Sequence, residues 1–373
     1  MDHLNNGMPV LIEGPSMSGK TRLALETIRA HRPEALLWYP RDDDDIERFL
    51  SSNQQPAPHT VIFLDDIDRF LSNQSLTLGL VNRWANNSCA IIATIMHSQY
   101  VKHSDRVNER VSGWDTINRF KRITLTPSLS ANELNAVKLT SYANRLPQIK
   151  SIGLGPLLGC AEAVRTAFTD ECKKHSWCGA LIKAAADWRR IGLGPASREQ
   201  LTLLSLAHED EAWEVADWDD TWNQATKFIN HTVPLLRQVG DDRWEVLDTI
   251  ADEANWAVSS RTLASLKSIP LSEQQALRAA ATMLLCGDPS LPTNDMFKLA
   301  LKINPNNAIA LGAYALFLET VRGDMDQAQD MYQRAIDADP TNANNLGGYA
   351  VFLEHERGNM DQAQDMYQRA IDA

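Results

Sequence analysis

The sequence predicts a multidomain protein with a parallel α/β core at its N-terminal end, helical modules behind it and an α-solenoid at its C-terminal end. Three observations carry that prediction. Short runs of Val, Ile and Leu alternate with amphipathic stretches over the first ~125 residues, as in buried parallel strands covered by helices. A glycine-containing loop ending in Lys20-Thr21 lies where the first such strand would turn into a helix. A block near the C-terminal end, 323–338, returns almost unchanged as 358–373, and spacings of this size mark stacked helical repeats.

At 373 residues the chain suits roughly two to four domains. The expected division is 1–126 for the core, 127–167 for a helical segment, 168–268 for a mainly helical module and 269–373 for the repeats. Buried strands are expected at 9–13, 35–39, 60–64, 89–94 and 122–125, each a Val, Ile or Leu run bounded by turn or helix signals. Past 128 the pattern turns helical, beginning with Ser130 and Glu133 at capping-box spacing. Gly153-Leu154-Gly155-Pro156 then breaks it. The module at 168–268 holds Trp177, Trp188, Trp213, Trp218, Trp222, Trp244 and Trp256, read as core. A short hairpin is expected there, pairing 233–239 with 243–247 around Gly240-Asp241-Asp242. From 271 onward everything reads as helix.

In the duplicated block only Asp324 against Asn359 differs, while Pro305 returns as Pro340, Tyr314 as Tyr349 and Phe317 as Phe352. The spacing of Ala328, Tyr332 and Ala335, and of Ala363, Tyr367 and Ala370, puts small and aromatic residues on one helix face. This resembles the tetratricopeptide repeat, with Tyr349-Ala350 where Leu-Gly is usual and one extra residue before Gly358. Residues 271–304 are expected to form a divergent preceding unit. Such arrays end in a polar capping helix. None follows here, which predicts that the natural protein continues past Ala373 or that the chain is truncated there.

The formal charge of -12 argues against nucleic acid or an anionic membrane as the main partner. No run approaches the ~18 apolar residues of a membrane span, and the N-terminus lacks the pattern of a secretory signal. Cys89, Cys160, Cys172, Cys178 and Cys286 are odd in number and irregularly spaced, which predicts reduced thiols and a cytoplasmic location. Cys172, His175 and Cys178 lack the second ligand pair of a zinc site. The run Arg41-Asp42-Asp43-Asp44-Asp45 lacks the spaced ligands of a calcium loop and reads as a solvated loop entering a helix.

The chemistry centres on Gly14-Pro15-Ser16-Met17-Ser18-Gly19-Lys20-Thr21, a phosphate-binding loop between an apolar strand and a helix. Gly14 and Gly19 let backbone amides turn inward around phosphate oxygens, with Ser16 and Ser18 in the same loop, and the helix aims its positive N-terminus at them. Lys20 would reach the β- and γ-phosphates, and the Thr21 hydroxyl would ligate Mg²⁺. A second apolar run, 61–64, ends in Asp65-Asp66. Asp65 would hold Mg²⁺, and Asp66 would orient or deprotonate the attacking water. No Asn-Lys-x-Asp favours guanine, so ATP and ADP are the expected nucleotides. On the next strand, Thr94 and His97 are candidates for sensing the γ-phosphate.

A phosphate loop, a strand ending in Asp-Asp, an Ala-Thr strand (Ala93-Thr94) and a helical segment with Leu154-Gly155-Pro156 after Gly153, in the place of the family's Gly-x-Pro, resemble the signal-transduction ATPases with numerous domains. These are AAA-like P-loop NTPases. The resemblance covers about 8–165, and 180–193 and 244–252 are similar to the middle region of bacterial members that end in tetratricopeptide repeats. It implies a winged-helix-like module after the core, roles in phosphate and Mg²⁺ binding for Gly14, Gly19, Lys20 and Thr21, and in Mg²⁺ binding and hydrolysis for Asp65 and Asp66, and packing of Pro156 near the base. His97 stands where the family often has Arg, which puts fast hydrolysis in doubt. The family function is ligand-triggered exchange of ADP for ATP and then self-oligomerisation, in bacteria often in antiphage defence.

The leading expectation is thus a slow ATPase used as a switch, with a protein or peptide ligand on the repeat array. Eleven acids against four arginines over 319–372 favour a basic partner. The alternatives are a repeat scaffold with a structural nucleotide, and a P-loop transcriptional regulator, which the acidic charge disfavours.

Overall fold

The computed structural model describes all residues except 1–6, 42, 53, 72–74, 105–112, 127, 159, 213–214, 231, 253–256, 287 and 289. Asp42, Trp213 and Trp256, named above, lie outside the described residues.

Strands β1 (Val10–Gly14), β2 (Leu37–Trp38), β3 (Val61–Leu64), β4 (Ala90–Met96) and β5 (Lys121–Thr124) form one parallel sheet in the order β2-β3-β4-β1-β5. Side chains alternate between its faces. Leu11, Ile62, Leu64, Ile91 and Ala93 pack on one side with Phe70 and Trp84. Val10, Ile12, Val61, Phe63 and Ile92 pack on the other with Ala24 of the helix Lys20–His31. The expectation of five buried strands holds for the central three and fails at the edges. β2 is two residues long, and all four residues of β5 are exposed. An edge strand has one neighbour, and Lys121-Arg122-Ile123-Thr124 offers only one apolar side chain to bury.

Behind the sheet, Ser130 caps the helix Ala131–Val137 in the predicted reciprocal box with Glu133. Gly153, at φ +91°, ends the helix Leu146–Ile152, and the short helix Leu154–Leu158 follows. The chain then runs helix Trp177–Arg190, helix Arg198–Ser205, helix Trp218–Thr226 and the hairpin β6 (Leu236–Gly240) with β7 (Arg243–Val246). A single bridge between Ala196 and Trp244 ties the turn before the second helix to that hairpin. The tryptophans serve this packing. Trp188 is buried with its Nε1 donating to Gly194 O at 2.9 Å, and Trp222 meets Trp244 edge-on at 5.2 Å. The hairpin is shorter than predicted because residues 233–235 precede the ladder.

The repeat region consists of helix pairs Glu273–Cys286 with Thr293–Ile303, Ala308–Phe317 with Met325–Ala338, and Ala343–His355 with Met360–Asp372. Phe297 packs on Tyr314 and Phe317, and Tyr332 on Tyr349 and Phe352. Tyr332 Oη donates to Glu319 and Tyr367 Oη to Glu354, both at 2.7 Å. The turn inside the second and third pairs closes in the same way. Asp324 N–H bonds back to Leu318 O and Asn359 N–H to Leu353 O, both at 2.9 Å, around Gly323 and Gly358 at φ +65° and +63°. Only glycine takes that left-handed turn without strain. One apolar cluster runs unbroken from Val164 through the middle module to Ala363.

Candidate functional site

The loop 14–21 lies at the C-terminal edge of the sheet, between β1 and the helix Lys20–His31. Gly14 is there because space is tight: a Cβ on it would stand 2.7 Å from Ser18 Oγ. Gly19 takes φ +91° immediately before the helix, whose first-turn amides have no intrahelical acceptor. Lys20 is buried, and its Nζ donates to Gly14 O at 3.1 Å and Pro15 O at 2.9 Å. Ser18 Oγ is buried without a hydrogen-bond partner among the described residues.

Because β4 lies between β1 and β3, Thr94 on β4 bridges the loop and the acids that follow β3. Its Oγ1 donates to Asp65 Oδ1 at 2.6 Å and accepts from Asp66 N–H at 2.9 Å. Thr21 Oγ1 donates to the same Asp65 oxygen at 2.9 Å. Burial, then the charge of Asp66, pushes the Asp65 carboxyl above its ordinary range, and the two hydroxyls offset part of that. Asp66 takes the left-handed region at φ +53°. Burial would raise its pKa, but the guanidinium groups of Arg69 and Arg189, then Lys20, hold it below the usual range.

Asp66 opens onto an ion cluster that joins the sheet to the middle module. Arg69 lies 3.1 Å from Asp66 and donates to both oxygens of Glu245 on β7, at 2.7 and 3.3 Å. Arg189, at the end of the helix Trp177–Arg190, lies 3.6 Å from Asp66 and 2.6 Å from Asp248. Arg237 adds a third cation 3.3 Å from Glu245. Two further contacts close on the loop, one from the middle module and one from the helical segment before it. Ser16 Oγ lies 3.3 Å from Thr249 Oγ1, and a Cβ on Gly155 would meet Met17 O at 2.0 Å.

The structure thus brings together Gly14, Ser16, Ser18, Gly19, Lys20, Thr21, Asp65, Asp66 and Thr94. Pro156 lies half-buried in the short helix that Gly155 seats on the loop. His97 stands apart, its exposed ring 2.6 Å by Nδ1 from Glu13 Oε1, while Thr124 and Arg122 approach the other Glu13 oxygen at 3.2 and 3.5 Å. Glu13, Arg69, Glu245 and Thr249 were not singled out from the sequence. The available signal was a charge inside an apolar strand, Glu13 after Val10-Leu11-Ile12 and Glu245 between Trp244 and Val246, since a buried charge needs partners.

These residues fit a magnesium polyphosphate. Thr21 and Asp65 supply hard oxygen ligands already in contact, and Mg²⁺ needs only one or two protein ligands beside phosphate and water. Ser18 Oγ is a buried polar atom lacking a partner among the described residues, and a helix N-terminus such as that of Lys20–His31 is suited to anions. The five cysteines are free thiols. Among the described residues no helix is long and apolar enough to cross a membrane.

No protein family matches the chain, and no curated protein does. Among solved structures it is similar to the crystal structure of a signal transduction ATPase with numerous domains, a protein with a tetratricopeptide repeat sensor from Pyrococcus horikoshii. The TM-score is 0.36 at 15% identity, over 99% of this chain and 57% of that one. The chain therefore spans little more than half of that protein's length.

Proposed function

We propose that the chain is an ATP- and ADP-binding signal-transduction switch with slow hydrolysis. The observation that carries this reading is the convergence of Lys20, Thr21, Asp65 and Thr94 on one sheet edge, with the adjacent Asp66 paired to Arg189 of a different module. Lys20 moves from the Gly14 and Pro15 carbonyls to phosphate oxygens. Thr21 and Asp65 would hold Mg²⁺, which when bound would supply charge neutralisation at the phosphates. Thr94 keeps Asp65 oriented. Asp66 is the acid that orients or deprotonates water, and while Arg69 and Arg189 engage it, that role is obstructed. The closed arrangement is therefore the resting one.

The order helix, bridge, helix, helix, hairpin over 177–246 supports the winged-helix-like reading of the middle module. The acidic repeat array would take a basic protein or peptide, whose effect is limited to its differential affinity for closed and open states. Motif resemblance extends the proposal to self-oligomerisation on activation, in the cytoplasm and in antiphage defence. His97 on Glu13, away from the acids, favours slow turnover and keeps a scaffold with a structural nucleotide as the second reading. Against DNA binding, the helix Trp218–Thr226 carries Asp219 and Asp220 and neither Lys nor Arg.

The test is the nucleotide extracted from purified protein, calorimetry with Mg-ADP and Mg-ATP, and native mass with and without ATP. Bound ADP and an ATP-dependent rise in mass are expected. No nucleotide and no heat of binding would remove the proposal.

A further inference from the structure

A cavity of about 450 Å³ lies where the core, the middle module and the first repeat helix meet. Of the residues assigned to the phosphate site, Asp66 alone is in the cavity's lining. No residue of the loop 14–21 lines it, and neither Asp65 nor Thr94 does. Its size falls within the range of small-molecule sites, about 300–1,000 Å³. Its lining is divided. Ile191, Val258, Leu263, Met283 and Leu291 make an apolar part, and Arg69, Lys102, Arg189, Arg190 and Arg278 supply five cations against the carboxylates of Asp66 and Asp68. The acids that pair with three of these arginines, Glu245, Asp248 and Asp187, are not part of the lining. The void is therefore faced by guanidinium groups more than by carboxylates. Each guanidinium has five donors in a planar fork, so an anion in the cavity would share them with the carboxylates already paired to Arg69 and Arg189.

We propose that this cavity is a second ligand site, distinct from the nucleotide site, for a small molecule with an apolar body and one anionic head group. The body lies against Val258, Leu263 and Leu291, and the head group among Arg189, Arg190 and Lys102. Oxyanions are recognised there by the planar donor geometry of arginine. Since Arg189 both lines the cavity and pairs with Asp66, the site is contiguous with the ion cluster that closes the module on the core.

The probe is anilinonaphthalene sulfonate, an apolar anion that fluoresces when removed from water, titrated into the full chain. One saturable site per chain is expected. Val258→Trp, which fills the void at a half-buried position, should abolish it. Lys102→Glu, at an exposed position, should weaken it about fivefold, the upper end for an exposed charge pair. Lys20→Ala, at a residue that does not line the cavity, should leave saturable probe binding in place, so loss of the nucleotide reading would not remove this one. Circular dichroism and thermal melts verify that each variant is folded. Non-saturable probe binding, or saturable binding that persists in both Val258→Trp and Lys102→Glu, would overturn the proposal.

Discussion

Replacing Glu245 with Gln tests whether the ion cluster holds the middle module on the core. Glu245 is buried and accepts from Arg69 at 2.7 and 3.3 Å and from Arg237 at 3.3 Å, with Arg189 at 3.9 Å. Burial alone would raise its pKa, yet Arg69, Arg189 and Arg237 together hold it at about 2, against an ordinary 4.5. That difference favours the charged form by about 3 kcal/mol. Removing one member of a buried ion cluster costs about 3–5 kcal/mol, so two independent routes give the same size. Gln keeps the shape and removes the charge, leaving three guanidinium groups to Asp66 and Asp248. An interface weakened by about 3 kcal/mol opens roughly a hundredfold more often. Hydrogen exchange at neutral pH should show that acceleration in β6, β7 and the helix Trp177–Arg190. The pH dependence has a definite sign. A depressed folded pKa contributes stability in full above about 4.5 and loses it as pH falls through about 2. Wild type should therefore loosen across that window, and Glu245→Gln should lack this component. Exchange in the variant within about threefold of wild type, less than 1 kcal/mol, would refute the reasoning.

Three further outcomes are expected. Lys20→Ala removes the ammonium group placed for phosphate, and calorimetry should show Mg-ADP affinity reduced about a hundredfold, as for a charge-assisted hydrogen bond worth about 3 kcal/mol. Asp66→Asn should retain ATP while lowering turnover by about a hundredfold or more, and wild-type phosphate release would remove Asp66 from the chemistry. Gly155→Ala must push a methyl group into Met17 O, so the short helix shifts off the loop at a cost of about 1–3 kcal/mol. A lower melting temperature together with weaker Mg-ADP binding checks it, and an unchanged melt would show that this packing tolerates a side chain.

The legible parts of the molecule were those written in local pattern. The loop 14–21, the strand ending in Asp65-Asp66 and the duplicated repeat each depend on residues close in sequence, so spacing alone places them. Edge strands were overcalled because an apolar run does not say how many neighbours a strand has. Glu13 and Arg122 ended beside His97 through pairing of β1 with β5 and β4, which no periodicity in the sequence encodes. The ion cluster was illegible for the same reason. Arg69, Arg189 and Glu245 lie 120 and 56 positions apart in sequence and meet only once the hairpin folds against the turn after β3. For Arg189-Arg190, adjacent in sequence, local pattern does not separate a surface face from an interdomain contact.

The choice of charges at that junction has a physical consequence. An apolar contact between Asp66's turn and the hairpin would hold the module as well as the ion cluster does, since desolvating ions offsets much of their attraction. Such a contact would also be indifferent to what binds nearby. A buried cluster that includes Asp66 is not indifferent, because Asp65, next in sequence, and Lys20 both lie within its field. A polyphosphate and Mg²⁺ held by Lys20, Thr21 and Asp65 would add charge beside Asp65, which interacts with Asp66 and Arg69. The balance of Arg69 and Arg189 between Asp66 and Glu245 would respond to that charge, and the grip of the hairpin with it. The same residues thus stabilise the closed arrangement and make its stability depend on the occupant of the loop.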